Sequence, residues 1–213
     1  MTEGGIGTDI TEKTGISDPI DNERQRCPWC GDDDLYVKYH DEEWGRLVTD
    51  DHTLFEFLTL ESAQAGLAWI TILRKRDGYR EAFHNFDVEK VAAMTDDDVE
   101  RLMKFDGIVK HRRKIQSAIS NARLFIEVQK EFGSFFSYLR SFFHGDFPVV
   151  NHPQTMADIP VTSPESDAIA KDMKRRGFKF FGSTICYAHL QATGFVDDHL
   201  IDCHCKSRSL VRP

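Results

Sequence analysis

Lys104-Phe105-Asp106-Gly107-Ile108-Val109-Lys110-His111-Arg112-Arg113-Lys114 is the stretch on which the fold turns. It reads as a tight, glycine-containing connector between two helices. Upstream, Thr95 with Asp98 three residues on is a capping signal that leads into Val99-Glu100-Arg101-Leu102-Met103. Downstream, a long helix is predicted over about 112–131, closed by Gly133. Further out, Asp51 or Thr53 can cap a helix running through Gln64. Leu54, Phe55, Leu58 and Ser62 form one stripe of it, and Gly66 lies past its end. Other helices are predicted over 68–83 and, aromatic and short, over 134–143. Ser163-Pro164 opens another that Gly177 closes, and one over 184–193 ends at Gly194. From Cys27 to about Thr49 the chain is turn-rich and aromatic. Strand-like alternation is almost absent, so the fold class is all-α.

Exposed backbone N–H groups at a helix start, with Lys and Arg beside them, form a phosphate cradle. The connector and its basic cluster therefore resemble the helix-hairpin-helix motif, which grips the DNA backbone without reading sequence. An ordinary αα-hairpin with a solvated basic face has the same pattern. The turn here is Asp-Gly-Ile rather than the usual Pro-Gly-Val.

The chain has 213 residues, 40% of them hydrophobic, with 16 Phe, which suits a packed globule of one large or two small domains. No apolar run approaches the ~20 residues of a membrane span, and no signal-peptide pattern opens the chain. The odd count of five cysteines fits a reducing compartment, so a cytoplasmic protein is expected. The net charge of −8 argues against a nucleic-acid binder, but base concentrates in 104–114 and 171–179 and can form one face. Residues 1–26, rich in Gly, Thr and Asp, read as a disordered leader.

Metal-type ligands bracket the chain. Cys27-Pro28-Trp29-Cys30 and His40 stand near its start, and His199 and Cys203, at i,i+4, near its end. Two thiolates and two imidazoles make the tetrahedral set Zn²⁺ prefers. With 158 residues between His40 and His199, a metal there would clip the two ends together. Chance pairing of five Cys and nine His could also produce the pattern.

All three tryptophans, Trp29, Trp44 and Trp69, fall in one acidic stretch with Tyr36 and Tyr39. Aromatic residues usually pack in a core, but π faces beside a carboxylate also suit a flat cationic ring. Glu61 and Gln64 sit at i,i+3 late in an apolar helix. A carboxylate buried there is costly unless paired or used, although it could also reach the surface at the helix edge.

The ordered blocks Tyr39-His40-Asp41-Glu42-Glu43-Trp44-Gly45, Gln64-Ala65-Gly66-Leu67-Ala68-Trp69-Ile70-Thr71-Ile72-Leu73, Arg175-Arg176-Gly177-Phe178-Lys179-Phe180 and Asp198-His199, with Cys27, Trp29, Leu35-Tyr36 and Leu60-Glu61, resemble the DNA-3-methyladenine glycosylase I family. The resemblance runs from about Cys27 to Cys205. It implies an all-α helix-hairpin-helix DNA glycosylase fold with a zinc-clipped subdomain formed by the two chain ends. The implied units are a terminal subdomain of 27–49 and 181–205, a helical domain of 50–180, and a tail of 206–213. It implies one structural Zn²⁺ on Cys27, His40, His199 and Cys203, with Cys30, His204 and Cys205 close by in sequence. CxxC leaves open which sulfur of Cys27 and Cys30 binds. Four protein ligands would leave no open position for water, and metal loss should loosen the part carrying Tyr36, Tyr39 and Trp44.

The implied activity is hydrolytic excision of 3-methyladenine from double-stranded DNA, without a lyase step. The enzyme would be a monomer and would release the free base. Glu61 is the implied catalytic residue, and Tyr36, Tyr39, Trp44 and Trp69, with Trp29 nearby, would bind the flipped base. Gly107, Lys110, Arg112, Arg113 and Lys114 would hold the DNA backbone, joined by Lys174, Arg175 and Arg176. No Asp follows the hairpin in 115–122, so the expected catalysis is stabilisation of an already good leaving group. The competing functions are a non-catalytic binder of alkylated DNA on the same scaffold and a zinc-dependent hydrolase.

Overall fold

A computed structural model describes residues 24–206. Most of the expected leader and nearly all of the expected tail therefore lie outside the described residues. Within them the chain is mostly helical. The helices are α1 (Asp34–Glu42), α2 (Asp51–Gln64), α3 (Trp69–Leu73), α4 (Arg76–Ala82), α5 (Val88–Ala93), α6 (Asp96–Leu102), α7 (Arg112–Phe132), α8 (Phe135–Arg140), α9 (Pro164–Arg176) and α10 (Ser183–Ala192). No helix among the described residues is long and apolar enough to cross a membrane.

Two helices were not expected. In α1, Asp33 caps the first turn by accepting from the N–H of Leu35 and Tyr36, so one of the acidic residues is a cap. Asp87 caps α5 in the same way, through Lys90 N–H. The helix expected over 68–83 is two, because Lys75 leaves helical geometry. The cap of α2 is Asp50, not Asp51 or Thr53. Asp51 serves a different helix: its carboxylate accepts from the N–H of Phe135 and Phe136 at the start of α8, at 2.8 and 3.0 Å.

The expected one-sided stripe of α2 is also corrected. Every residue from Leu54 to Ala63 is buried, so α2 is a central helix covered on all sides. Phe55 meets Phe125 of α7, and Phe125 stacks on Phe135 at 4.1 Å. α10 contributes Cys186, Tyr187 and Leu190 to the same core. One short parallel pair, β1 (Val149–Val150) with β2 (Val196–Asp197), aligns the chain before α9 with the chain after α10.

The connector of 104–114 joins α6 to α7. It docks backbone-on-backbone against α4, where a Cβ at Gly78 would lie 2.2 Å from the Gly107 carbonyl oxygen. Lys75 adds a hydrogen bond to the Asp106 carbonyl at 2.8 Å. Only glycine permits this approach. Gly78→Ala is expected to cost about 1–3 kcal/mol through forced separation of the two backbones. Chemical denaturation checks this, and an unchanged midpoint would show that the contact is dispensable.

Candidate active site

The 3₁₀ turn Pro28–Cys30, α1 and the turn after it, α2, the first residue of α3, the 3₁₀ turn Met156–Asp158 with Ile159, and α10 surround one cavity of about 220 Å³. Trp29, Tyr36, Tyr39, Trp44, Glu61, Gln64, Trp69, Met156, Ile159, Ala188 and Gln191 line it. Pockets for drug-sized ligands span ~300–1,000 Å³, so this smaller volume suits a single planar ring system. All five aromatic residues picked out in the sequence are here, together with Glu61. The rings brace one another. Trp29 lies 5.0 Å from Trp44 and 5.1 Å from Tyr36, Tyr39 is 5.5 Å from Trp69, and Trp69 stacks on Phe57.

Glu61 is 4% exposed and has no hydrogen-bond or ion-pair partner among the described residues. Burial alone pushes its carboxyl up to about 8, because desolvation penalises the charged form. Glu56, on the same helix and equally buried, shows the contrast. It is paired with Arg76 at 2.7 Å and Arg80 at 3.1 Å, and Arg76 continues to Glu43 at 2.6 Å. Of the two acids, the unpaired one faces the cavity.

Behind the aromatic wall the two chain ends meet. The ligand atoms of His40, His199, Cys203 and Cys205 lie within 4.8 Å of one another, and all four residues are buried. Nδ1 of His40 sits 2.7 Å from Asp41, and Nδ1 of His199 sits 2.8 Å from Asp197. Each carboxylate thus fixes its ring and turns Nε2 toward the cluster as the nitrogen that would bind a metal, the outer arrangement usual for a metal-bound His; Nε2 of His40 also accepts from Cys27 N–H at 3.4 Å. A soft S/N donor set with oriented imidazoles fits Zn²⁺. Cys27 Sγ lies at the edge of the cluster and accepts from Leu200 N–H at 3.4 Å. Cys203 Sγ is 3.4 Å from His40 Nε2. Cys30 turns away, its thiol donating to the Cys27 carbonyl at 3.2 Å.

This cluster touches the cavity through Trp44. The indole lies edge-on to His199 at 4.6 Å and stacked on His40 at 6.4 Å. Gly45 makes the packing feasible, because a Cβ there would lie 2.5 Å from His199 Cε1, at a φ of +74°.

The basic residues of the hairpin divide by environment. Arg113 is exposed. Lys110 pairs with Asp106, and Arg112 binds Glu100 through both nitrogens at 2.6 and 3.0 Å. Lys114 points inward and donates to the carbonyls of Ala63 and Ala65 at 2.8 and 2.7 Å, tying α7 to the end of α2. Arg176 is engaged by Glu131 and Asp172, whereas Lys174 is exposed. Sequence reading did not place Met156, Ile159, Ala188 or Gln191 in the site, since nothing in their local pattern marks them.

A family profile described as methyladenine glycosylase matches residues 29–206. The Escherichia coli (strain K12) protein DNA-3-methyladenine glycosylase 1 is 48% identical over 181 residues, which is 85% of this chain and 96% of that protein. A crystal structure of a 3-methyladenine DNA glycosylase I has a TM-score of 0.82 at 49% identity, over 85% of this chain and 99% of its own. A Staphylococcus aureus structure, described as the structural basis of 3-methyladenine recognition by that glycosylase, has a TM-score of 0.81 at 39% identity, over 85% and 96%.

Proposed function

The chain belongs to the methyladenine glycosylase family, and we propose from that premise that it flips 3-methyladenine out of duplex DNA and hydrolyses its glycosidic bond. It is a DNA glycosylase; the substrate, the residues and the mechanism are our reading. The observation that carries the reading is Glu61, unpaired and buried in an aromatic cavity sized for one base.

N3-methylation makes the adenine ring cationic in DNA and weakens its bond to the sugar. The aromatic faces of Tyr36, Tyr39, Trp44, Trp69 and Trp29 stack on such a ring and attract its charge. Glu61 accepts from the amino edge and ionises beside the cation. A neutral adenine gains less from either interaction, which is the basis of selectivity. The C1′–N9 bond breaks and the ring leaves with the electron pair as neutral 3-methyladenine. Water adds at C1′ and loses a proton. Among the described residues no lysine lines the cavity, which supports hydrolysis without a Schiff-base step.

The two proposed units are residues 27–49 with 181–205, carrying the cluster, and residues 50–180, carrying the hairpin. They share a core through α10. A bound Zn²⁺ would act structurally, joining the chain ends and bracing Trp44. Backbone contact is assigned to Gly107 and to Arg113, Lys110 and Arg112, with Lys114 holding α2. A monomer acting on duplex DNA is sufficient for this reading.

Base release from methylated duplex DNA, with the free bases separated chromatographically, tests it. Release of 3-methyladenine with turnover is expected. Folded protein that binds the DNA and releases no base would overturn the reading in favour of a non-catalytic binder.

A further inference from the structure

Asp198 is fully buried directly after β2. Its carboxylate accepts three hydrogen bonds, from Asn151 Nδ2 at 2.8 Å, Tyr187 Oη at 2.7 Å and Gln191 Nε2 at 2.7 Å. Asn151 is brought there by the strand pair, where its N–H donates to the Asp197 carbonyl at 3.0 Å. Tyr187 and Gln191 are one turn apart on α10, so both reach the same acceptor.

Gln191 is the only one of the three donors that also lines the cavity. A free glutamine amide can turn over and present either its oxygen or its NH₂. A carboxylate is acceptor-only, so it dictates that Gln191 turns its NH₂ to Asp198. The amide oxygen is then the end left for a ligand. Ala188, three residues earlier on the same helix face, is small and also lines the cavity beside it.

We propose that Gln191 is a specificity-determining residue for the flipped base, its amide oxygen fixed by Asp198 to accept from an exocyclic 6-amino group. The proposal rests on the glycosylase reading above. The amino group has two hydrogens, and Glu61 and Gln191 are two acceptors lining the same cavity. A base with a 6-oxo group, such as 3-methylguanine, would instead set its carbonyl oxygen against the Gln191 oxygen, and the amide could not turn to relieve this without breaking its bond to Asp198. Asp198 is a positioning residue in this scheme.

The test measures excision of 3-methyladenine and 3-methylguanine from methylated DNA by wild type, Gln191→Met and Asp198→Asn. Methionine keeps the volume and removes the acceptor. Gln191→Met is expected to lower kcat/KM for 3-methyladenine about 10-fold and to reduce the preference over 3-methylguanine by a similar factor. Asp198→Asn frees the amide to turn and is expected to improve 3-methylguanine excision relative to 3-methyladenine. A Gln191→Met preference within twofold of wild type would overturn the proposal, as would equal losses on both bases together with a lowered Tm. Wild-type protein that releases neither base would instead defeat the underlying glycosylase reading.

Discussion

Glu61→Gln is expected to slow base release on the order of 100-fold while raising the thermal stability of the protein above neutral pH. Both effects have one source. In the unfolded chain this carboxyl titrates near 4.5, and in the folded protein burial holds its proton up to about 8. Between those values the folded state binds more protons than the unfolded state, so stability falls as pH rises from about 4.5 to about 8, then levels off. Ionised Glu61 in an empty, unpaired site therefore costs on the order of a few kcal/mol above pH 8. Glutamine carries no such penalty, and its Tm advantage should amount to several degrees at pH 8 and vanish near pH 4. The activity profile should run the opposite way: kcat/KM for the cationic lesion rises with pH to a plateau near 8, and the rise is absent in the variant. Equal activity of the two proteins would remove Glu61 from the mechanism.

If the cluster of His40, His199 and Cys203 holds Zn²⁺ as proposed, stripping it is expected to lower Tm by about 10 °C and to abolish base release together with the rigidity of Trp44. The reason is the contact of that indole with both His40 and His199. Metal content then separates the two cysteines competing for the fourth position. Cys27 and Cys203 each receive a backbone N–H, from Leu200 and Cys205 at 3.4 and 3.5 Å, which favours a metal-bound thiolate. Cys205 faces the carbonyls of His40 and Asp41 and the Asp41 carboxylate, all at 3.9 Å, which favours a protonated thiol. Cys27→Ser is therefore expected to lose zinc, and Cys205→Ser to retain one zinc per chain by elemental analysis. The reverse result would place Cys205 in the ligand set.

Trp44 and Glu61 show how far the sequence could be read. The aromatic residues between Cys27 and Trp69 are dense and out of place in a turn-rich acidic stretch. The apolar flanks of Glu61 imply burial, because a helix turn at 3.6 residues carries neighbours inward together. Both signals are local and lie in residue type and order alone. Helix α1 is not legible in the sequence because Asp32-Asp33-Asp34 has the look of a charge run, and only the hydrogen bonds of Asp33 reveal a cap. Lys114 had the composition of a phosphate contact but folds inward onto α2, a choice made by two carbonyls 49 and 51 residues away.

By itself the sequence determined the helical class, the caps of α6 and α9, the glycines that close α7 and α9, the donor chemistry of the two chain ends and the membership of the aromatic wall. Each of these depends on residue type and short-range spacing. Tertiary structure alone decided that Glu61 is unpaired while Glu56 is not, that Met156, Ile159 and Gln191 complete the cavity, and that Asp198 fixes the hand of an amide across it. Those outcomes depend on which groups meet after the chain closes over long separations, and a linear pattern carries no record of a partner that distant.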